Sequence, residues 1–255
     1  MVLRKLFSQI SAPLSSRHAL PPGERAYAIG DVHGRIDLLD ALIAQIDADN
    51  KARGKADCWL IFLGDLIDKG PHSRAVIERA LELSASPRAC IFLMGNHEEL
   101  LLRLWTGDAR AADPFLTYGG IACLQSYGLD APESQITKLD GKEVVAAVRD
   151  HVPETHIRFL KKFAPICQMG DYAFVHAGAR PGIALADQDP LDLRWIRGDF
   201  TRSKADFGAM IVHGHTIVKT PEIRSNRIGI DTGAYASGRL TALGLQGQDR
   251  WFLST

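Results

Sequence analysis

The 255-residue chain carries 30 Lys plus Arg against 30 Asp plus Glu, so its formal net charge is zero. That balance removes support for a nucleic-acid or anionic-membrane partner held by bulk charge, and any attraction for an anion must be local. With 46% apolar and 24% charged residues, the composition is that of a globular chain long enough to bury a sizeable core, as one large domain or two small ones.

Residues 1–23 differ from the rest. They carry Arg4, Lys5, Arg17 and several serines, with no acid before Glu24. A transit peptide has this composition, and so does a basic, flexible arm; the arm is the preferred reading. No apolar run approaches the roughly 18 residues that a membrane helix needs. The cysteines Cys58, Cys90, Cys123 and Cys167 show no C-x-x-C spacing, which favours buried, reduced thiols and a cytoplasmic setting.

From residue 24 onward, short apolar runs lead straight into polar residues. The run at 27–29 leads to Asp31, that at 59–63 to Asp65, and that at 90–94 to Asn96. Later runs at 172–175 and 210–212 lead to His176 and to His213 and His215. Such runs predict buried strands, and open α/β sheets place their sites at strand ends. Between them, Ile36, Leu39, Leu42, Ile43 and Ile46 share one helical face. Ser73 is a plausible N-cap for a helix that turns Val76, Ile77, Ala80 and Leu81 inward. The stretch of about 98–165 reads as a helical insertion, broken at Gly119-Gly120 and Gly128 and near Pro132 and Pro153. Alternation over 227–252 predicts strands that complete a second sheet. One catalytic domain is therefore expected over 24–255.

Five strand-end motifs stand out: Gly30-Asp31-Val32-His33-Gly34, Gly64-Asp65-Leu66-Ile67-Asp68-Lys69-Gly70, Gly95-Asn96-His97-Glu98, His176-Ala177-Gly178 and His213-Gly214-His215-Thr216. Each alone is weak, since an Asp-x-His in a turn is more often a capped loop than a ligand. In this order, after five apolar runs, they are specific. The chain resembles the PPP-type phosphoprotein phosphatases of the calcineurin-like metallophosphoesterases, most closely bacterial and phage members, over roughly residues 24–251. The Arg194-Trp195-Ile196-Arg197 segment and Gly229-Ile230-Asp231-Thr232-Gly233-Ala234 look similar as well.

The resemblance implies a four-layer α/β/β/α sandwich whose motifs meet at one edge. It also implies two divalent ions, Mn first, with Fe or Zn as alternatives. Asp31, His33 and Asp65 would hold one ion. Asp65, Asn96, His176 and His215 would hold the other, with Asp65 bridging. Carboxylate, imidazole and amide oxygen suit those metals better than soft sites would. With only two anionic ligands the centre would keep about two positive charges, which suits a phosphate dianion. Such ions sit about 3.5–4 Å apart and can lower the pKa of a water to around 7, supplying hydroxide for in-line attack.

By the same resemblance His97 is the general acid, with Asp68 fixing its tautomer, while Arg197, Lys69 and Arg194 meet phosphate oxygens. His213 reads as a neighbour rather than a ligand. Two departures matter. The family's GDxxDRG has Arg where this chain has Lys69, which keeps the charge and loses the bidentate fork. A final GHxH, common in wider metallophosphoesterases, is absent, which points to the PPP branch. The expected activity is hydrolysis of phosphoserine, phosphothreonine or phosphotyrosine, on a phosphoprotein or a small phosphomonoester. The alternatives are a symmetrical dinucleoside tetraphosphate hydrolase and a catalytically inactive binding module of the same fold.

Overall fold

Alternating strands and helices build the first half of the molecule, as the computed structural model shows; it describes residues 14–15 and 18–255. The expectation of a flexible arm falls largely on residues 1–13 and 16–17, outside the described residues. In chain order the strands are β1 (Leu14–Ser15), β2 (Glu24–Ile29), β3 (Asp57–Phe62), β4 (Ala89–Phe92), β5 (Ile166–Met169), β6 (Tyr172–Val175), β7 (Met210–His213), β8 (Glu222–Ile223), β9 (Arg227–Gly229), β10 (Thr241–Gln246) and β11 (Asp249–Ser254).

They form a six-stranded sheet ordered β1-β11-β10-β2-β3-β4 and a five-stranded sheet ordered β5-β6-β7-β9-β8. Strands β2, β3 and β4 run parallel, joined by helices α1 (Ile36–Ala52) and α2 (Ser73–Ala85), because parallel neighbours need a crossover. The period of two sorts their side chains. Tyr27 and Ile29 turn toward the helices, with Leu39, Leu42 and Val76, while Ala26 and Ala28 turn toward the second sheet. There they meet Tyr172, Phe174, Val212 and Ile228 in a dry layer between the sheets. The outer face of the second sheet, Ala173, Val175 and Ile211, is covered by Leu193, Ile196 and Phe200. This is the α/β/β/α sandwich.

Two local expectations need correction. Strand β9 does join the second sheet, but β10 and β11 close the first, with Ala242 opposite Ile29 and Gly244 opposite Tyr27. Alternation marks a strand without naming its sheet, and Leu243 and Leu245 fill the inter-sheet layer from that side. Ser73 does not cap its helix, since it is the first helical residue and its Oγ accepts the backbone N–H of Asp68 at 2.9 Å. The hydroxyl fixes the loop that carries the motif aspartate instead.

Every regular element between residues 96 and 160 is helical. These are α3 (Asn96–Thr106), a 3-10 turn (Ala109–Ala111), α4 (Ala112–Phe115), a π-helical turn (Leu116–Gly120), α5 (Ile121–Ser126), α6 (Glu133–Ile136), α7 (Gly141–His151) and α8 (Glu154–Leu160). Pro132 and Pro153 stand at helix N-caps, and Gly119 kinks the π turn with φ of 106°. A 3-10 turn (Leu185–Asp187) and three short α-helices follow: α9 (Pro190–Trp195), α10 (Gly198–Thr201) and α11 (Ala234–Ser237). All four cysteines are free, and only Cys123 is fully buried. Among the described residues no helix is long and apolar enough to cross a membrane.

Candidate metal centre

The carboxyl ends of five strands converge. The loop after β2 brings Asp31 and His33, that after β3 brings Asp65, and α3 opens on Asn96 directly after β4. From the second sheet come His176 after β6 and His215 after β7. All six side chains are buried, none more than 7% exposed. Asp31 and His215, 184 residues apart, touch: the backbone N–H of His215 donates to both Asp31 carboxylate oxygens at 3.0 and 3.1 Å.

Backbone strain marks the same place. The described non-glycine residues with positive φ are His33, Asp65, Asp68, Lys69 and His215, at 46° to 71°. Left-handed backbone costs an L-residue about 1–2 kcal/mol. Strain of this kind persists where surrounding structure over-determines it, and it clusters at functional sites. Glycines beside the ligands serve close approach as much as turning. A Cβ on Gly95 or on Gly214 would stand 2.1 Å from an oxygen of Asp65 or of Asp31.

Asp65 is the hub. Its Oδ2 lies 3.6 Å from His33 Nε2, 3.3 Å from His176 Nε2 and 3.7 Å from His97 Nε2. Two groups of potential ligand atoms, His33–Asp65–His97 and Asp65–His176–His215, share it. His33 donates Nδ1–H to the Ile67 carbonyl and His176 to the Leu63 carbonyl, each at 2.8 Å. Their Nε2 lone pairs therefore face the carboxylate, and His176 Nε2 also faces Asn96 Oδ1 at 3.0 Å. Acceptors aimed at acceptors demand a positive charge between them, a proton on one Nε2 or a bound cation. The field says the same. Burial pulls His176 down, yet the Asp65 carboxylate outweighs it and lifts it to about 9. Burial and the His176 charge push His215 down to about 2, and its buried Nε2 has no partner among the described residues. This donor set of imidazole, carboxylate and amide oxygen fits a divalent cation.

His97 Nδ1 meets Asp68 Oδ2 at 2.6 Å, deep in the protein. Burial lowers His97, but Asp65 and Asp68 together raise it. Lys69 leans over the site: its Nζ donates to His33 Nε2 at 3.0 Å and lies 4.8 Å from the centre of the Tyr235 ring. Arg197 is exposed and has no ion pair among the described residues, and its charge helps to hold His215 down. Arg194 is turned to another carboxylate, with Nε on Glu99 Oε2 at 2.6 Å. His213 packs its ring on Phe200 at 5.0 Å, on the far face of β7, as a neighbour would.

Glu98 supports the ligands, a role that the motif alone did not assign. Its carboxylate accepts the backbone N–H groups of Asp65 at 2.9 Å, Leu66 at 2.8 Å and Gly95 at 3.1 Å, and it is fully buried. A buried acid three residues into a helix that opens on a ligand was the available signal. Glu98→Gln turns an amide N–H₂ toward those donors. We expect a loss of about 1–3 kcal/mol in stability and about 10–100-fold in cation affinity. Denaturant titration and chelator competition measure the two losses, and unchanged affinity would reduce Glu98 to a loop brace.

The pattern of the family described as calcineurin-like phosphoesterase matches residues 25–219. The asymmetrical bis(5'-nucleosyl)-tetraphosphatase PrpE of Bacillus thuringiensis (strain Al Hakam) is 28% identical over 237 residues, covering 84% of this chain and 88% of that protein. The PrpE of Bacillus anthracis (strain A0248) is 29% identical over the same length. A solved structure assigned provisionally as a diadenosine tetraphosphatase superposes with a TM-score of 0.63 at 18% identity, over 93% of this chain and 98% of the other. A cold-active protein-tyrosine phosphatase of a psychrophilic Shewanella superposes at 0.53 with 17% identity, over 89% and 78%. Sequence pattern, sandwich and buried ligand cluster agree, and the chain belongs to the calcineurin-like phosphoesterases.

Proposed function

We propose that this chain is a cation-dependent hydrolase of dinucleoside tetraphosphates, cleaving a phosphoanhydride bond. The observation that carries this reading is the match to asymmetrical bis(5'-nucleosyl)-tetraphosphatases along 88% of their length. It displaces the phosphoprotein reading that the motifs favour, because both activities draw on the same strand-end ligands. It also shifts the expected cut from the symmetrical to the asymmetrical position.

In this proposal Asp31, His33 and Asp65 hold one cation, and Asp65, Asn96, His176 and His215 hold a second. When bound, the ions supply Lewis acidity and lower the pKa of water. Lys69 and Arg197 offer positive heads to the polyphosphate. Water oxygen attacks one phosphorus and releases a proton to solvent as the bridging P–O bond breaks. The electron pair leaves with the departing nucleotide, and His97 offers that oxygen its Nε2 proton while Asp68 keeps Nδ1 protonated.

One observation favours phosphomonoester cleavage as the second reading. The buried 2.6 Å His97–Asp68 pair suits protonation of a basic alkyl oxygen, which a departing nucleotide needs less. Turnover of diadenosine tetraphosphate against a phosphoserine peptide, with chromatography of products, decides. We expect AMP and ATP, with kcat/KM at least about tenfold above the peptide. Two ADP would restore the symmetrical cut, and a faster peptide would restore the phosphatase.

A further inference from the structure

The π turn of the helical insertion meets the catalytic loop. In the π turn, the Gly119 carbonyl accepts the backbone N–H of Lys69 at 3.1 Å. A Cβ on Gly119 would lie 2.7 Å from that nitrogen and 2.9 Å from Lys69 Cα, and its φ is 106°. Only glycine lets the two backbones approach so closely. Inserted π turns recur at functional sites. Here the turn delivers Tyr118.

Tyr118 is 46% exposed, yet its ring centre is 6.3 Å from that of His97 and 6.4 Å from that of Trp195. Its hydroxyl has no hydrogen bond among the described residues, so ring contacts alone hold it there. Trp195 is fixed, since its Nε1–H donates to Glu99 Oε2 at 2.9 Å, beside Arg194. The Tyr118–Trp195 planes meet at 54° and form a tilted aromatic wall beside the His97 side of the centre. Trp195 also borders a groove of ≈ 580 Å³ with Leu191, Arg197 and Arg202, within the roughly 300–1,000 Å³ of small-ligand clefts. The groove thus offers the Trp195 ring and, in Arg197, a cation without an ion pair among the described residues, while Tyr118 bridges from that ring to the imidazole assigned to the leaving group. A flat, uncharged ring tethered to a phosphate matches all three.

From this arrangement we infer that Tyr118, Trp195 and Arg197 form a nucleoside subsite that stacks the base of the departing nucleotide. The inference rests on the dinucleotide reading for the identity of that nucleotide, but its test does not. Base–aromatic stacking is lost on alanine substitution by a factor of about 5–100 per base.

The test is calorimetric binding to the cation-loaded chain of two non-hydrolysable probes, the methylenephosphonate analogues of AMP and of ribose 5-phosphate. They differ only by the base. We expect the wild type to prefer the AMP analogue at least about tenfold, Tyr118→Ala to lose at least about fivefold of that preference, and Tyr118→Phe to keep it. A wild-type preference below about twofold, or one that Tyr118→Ala retains in full, overturns the subsite. Should the chain leave diadenosine tetraphosphate intact while the Tyr118-dependent preference stands, the dinucleotide reading fails and the subsite survives.

Discussion

Asp65→Asn should abolish activity more completely than any other ligand substitution, with kcat/KM down at least about 10³-fold. Three imidazole nitrogens lie within 3.7 Å of the one oxygen Oδ2, and the other oxygen accepts the His97 backbone N–H at 3.2 Å. Burial raises this carboxyl, but His176, His97 and His33 outweigh it and hold the group well below the usual carboxylate range. The surrounding imidazoles thus favour the charged form, and both ligand groups share it. The amide removes the charge and turns a donor toward one neighbour. Elemental analysis after gel filtration should find both cations weakened. Full cation content with near-normal turnover would show that Asp65 does not bridge.

His97→Ala should cost activity in proportion to the basicity of the leaving oxygen. General acid catalysis contributes about 10²–10⁴-fold. A serine alkoxide leaves badly without a proton, whereas nitrophenolate or a nucleotide phosphate leaves well. We therefore expect a loss of about 10²–10⁴-fold on a phosphoserine peptide and about tenfold or less on p-nitrophenyl phosphate and diadenosine tetraphosphate. Asp68→Asn should show the same bias more weakly, because Asp68 meets only the Nδ1 side at 2.6 Å. Equal losses on all three substrates, with cations retained, would mean that His97 binds phosphate or holds a cation, as its grouping with His33 and Asp65 permits.

The ligand loops were legible because each follows a buried strand, and an apolar run that ends in Gly-Asp or Gly-Asn is a local signal. The inter-sheet layer was legible for the same reason. The sheet that β10 and β11 join was not, since alternation is a property of one strand and sheet membership is a property of its partners. Ser73 looked like a cap because caps are judged from local spacing. The bond it makes, to the backbone of Asp68, depends on how the preceding loop is folded. Sequence ranked Arg197 ahead of Arg194 as a phosphate contact, but the bond that gives Arg194 to Glu99 was visible only in the packing. Tyr118 lay inside a helical stretch with no ligand signal, and its position depends on the contact between Gly119 and Lys69. Substrate class was the least legible property, because anhydride and ester hydrolysis call on the same ligands.

The seam between the sheets runs through the centre. Asp31, His33, Asp65 and Asn96 belong to the first sheet's loops, and His176 and His215 to those of the second. In polymer terms, a cation held by both sets is a reversible cross-link between chain segments as much as 150 residues apart, from Asp65 to His215. Closing a loop of that length removes conformational freedom from the unfolded ensemble on the scale of a long-range disulfide, about 4–5 kcal/mol. Ions that serve the reaction would then also staple the two halves of the sandwich, so that the same ligand set governs catalysis and the entropy of the unfolded chain.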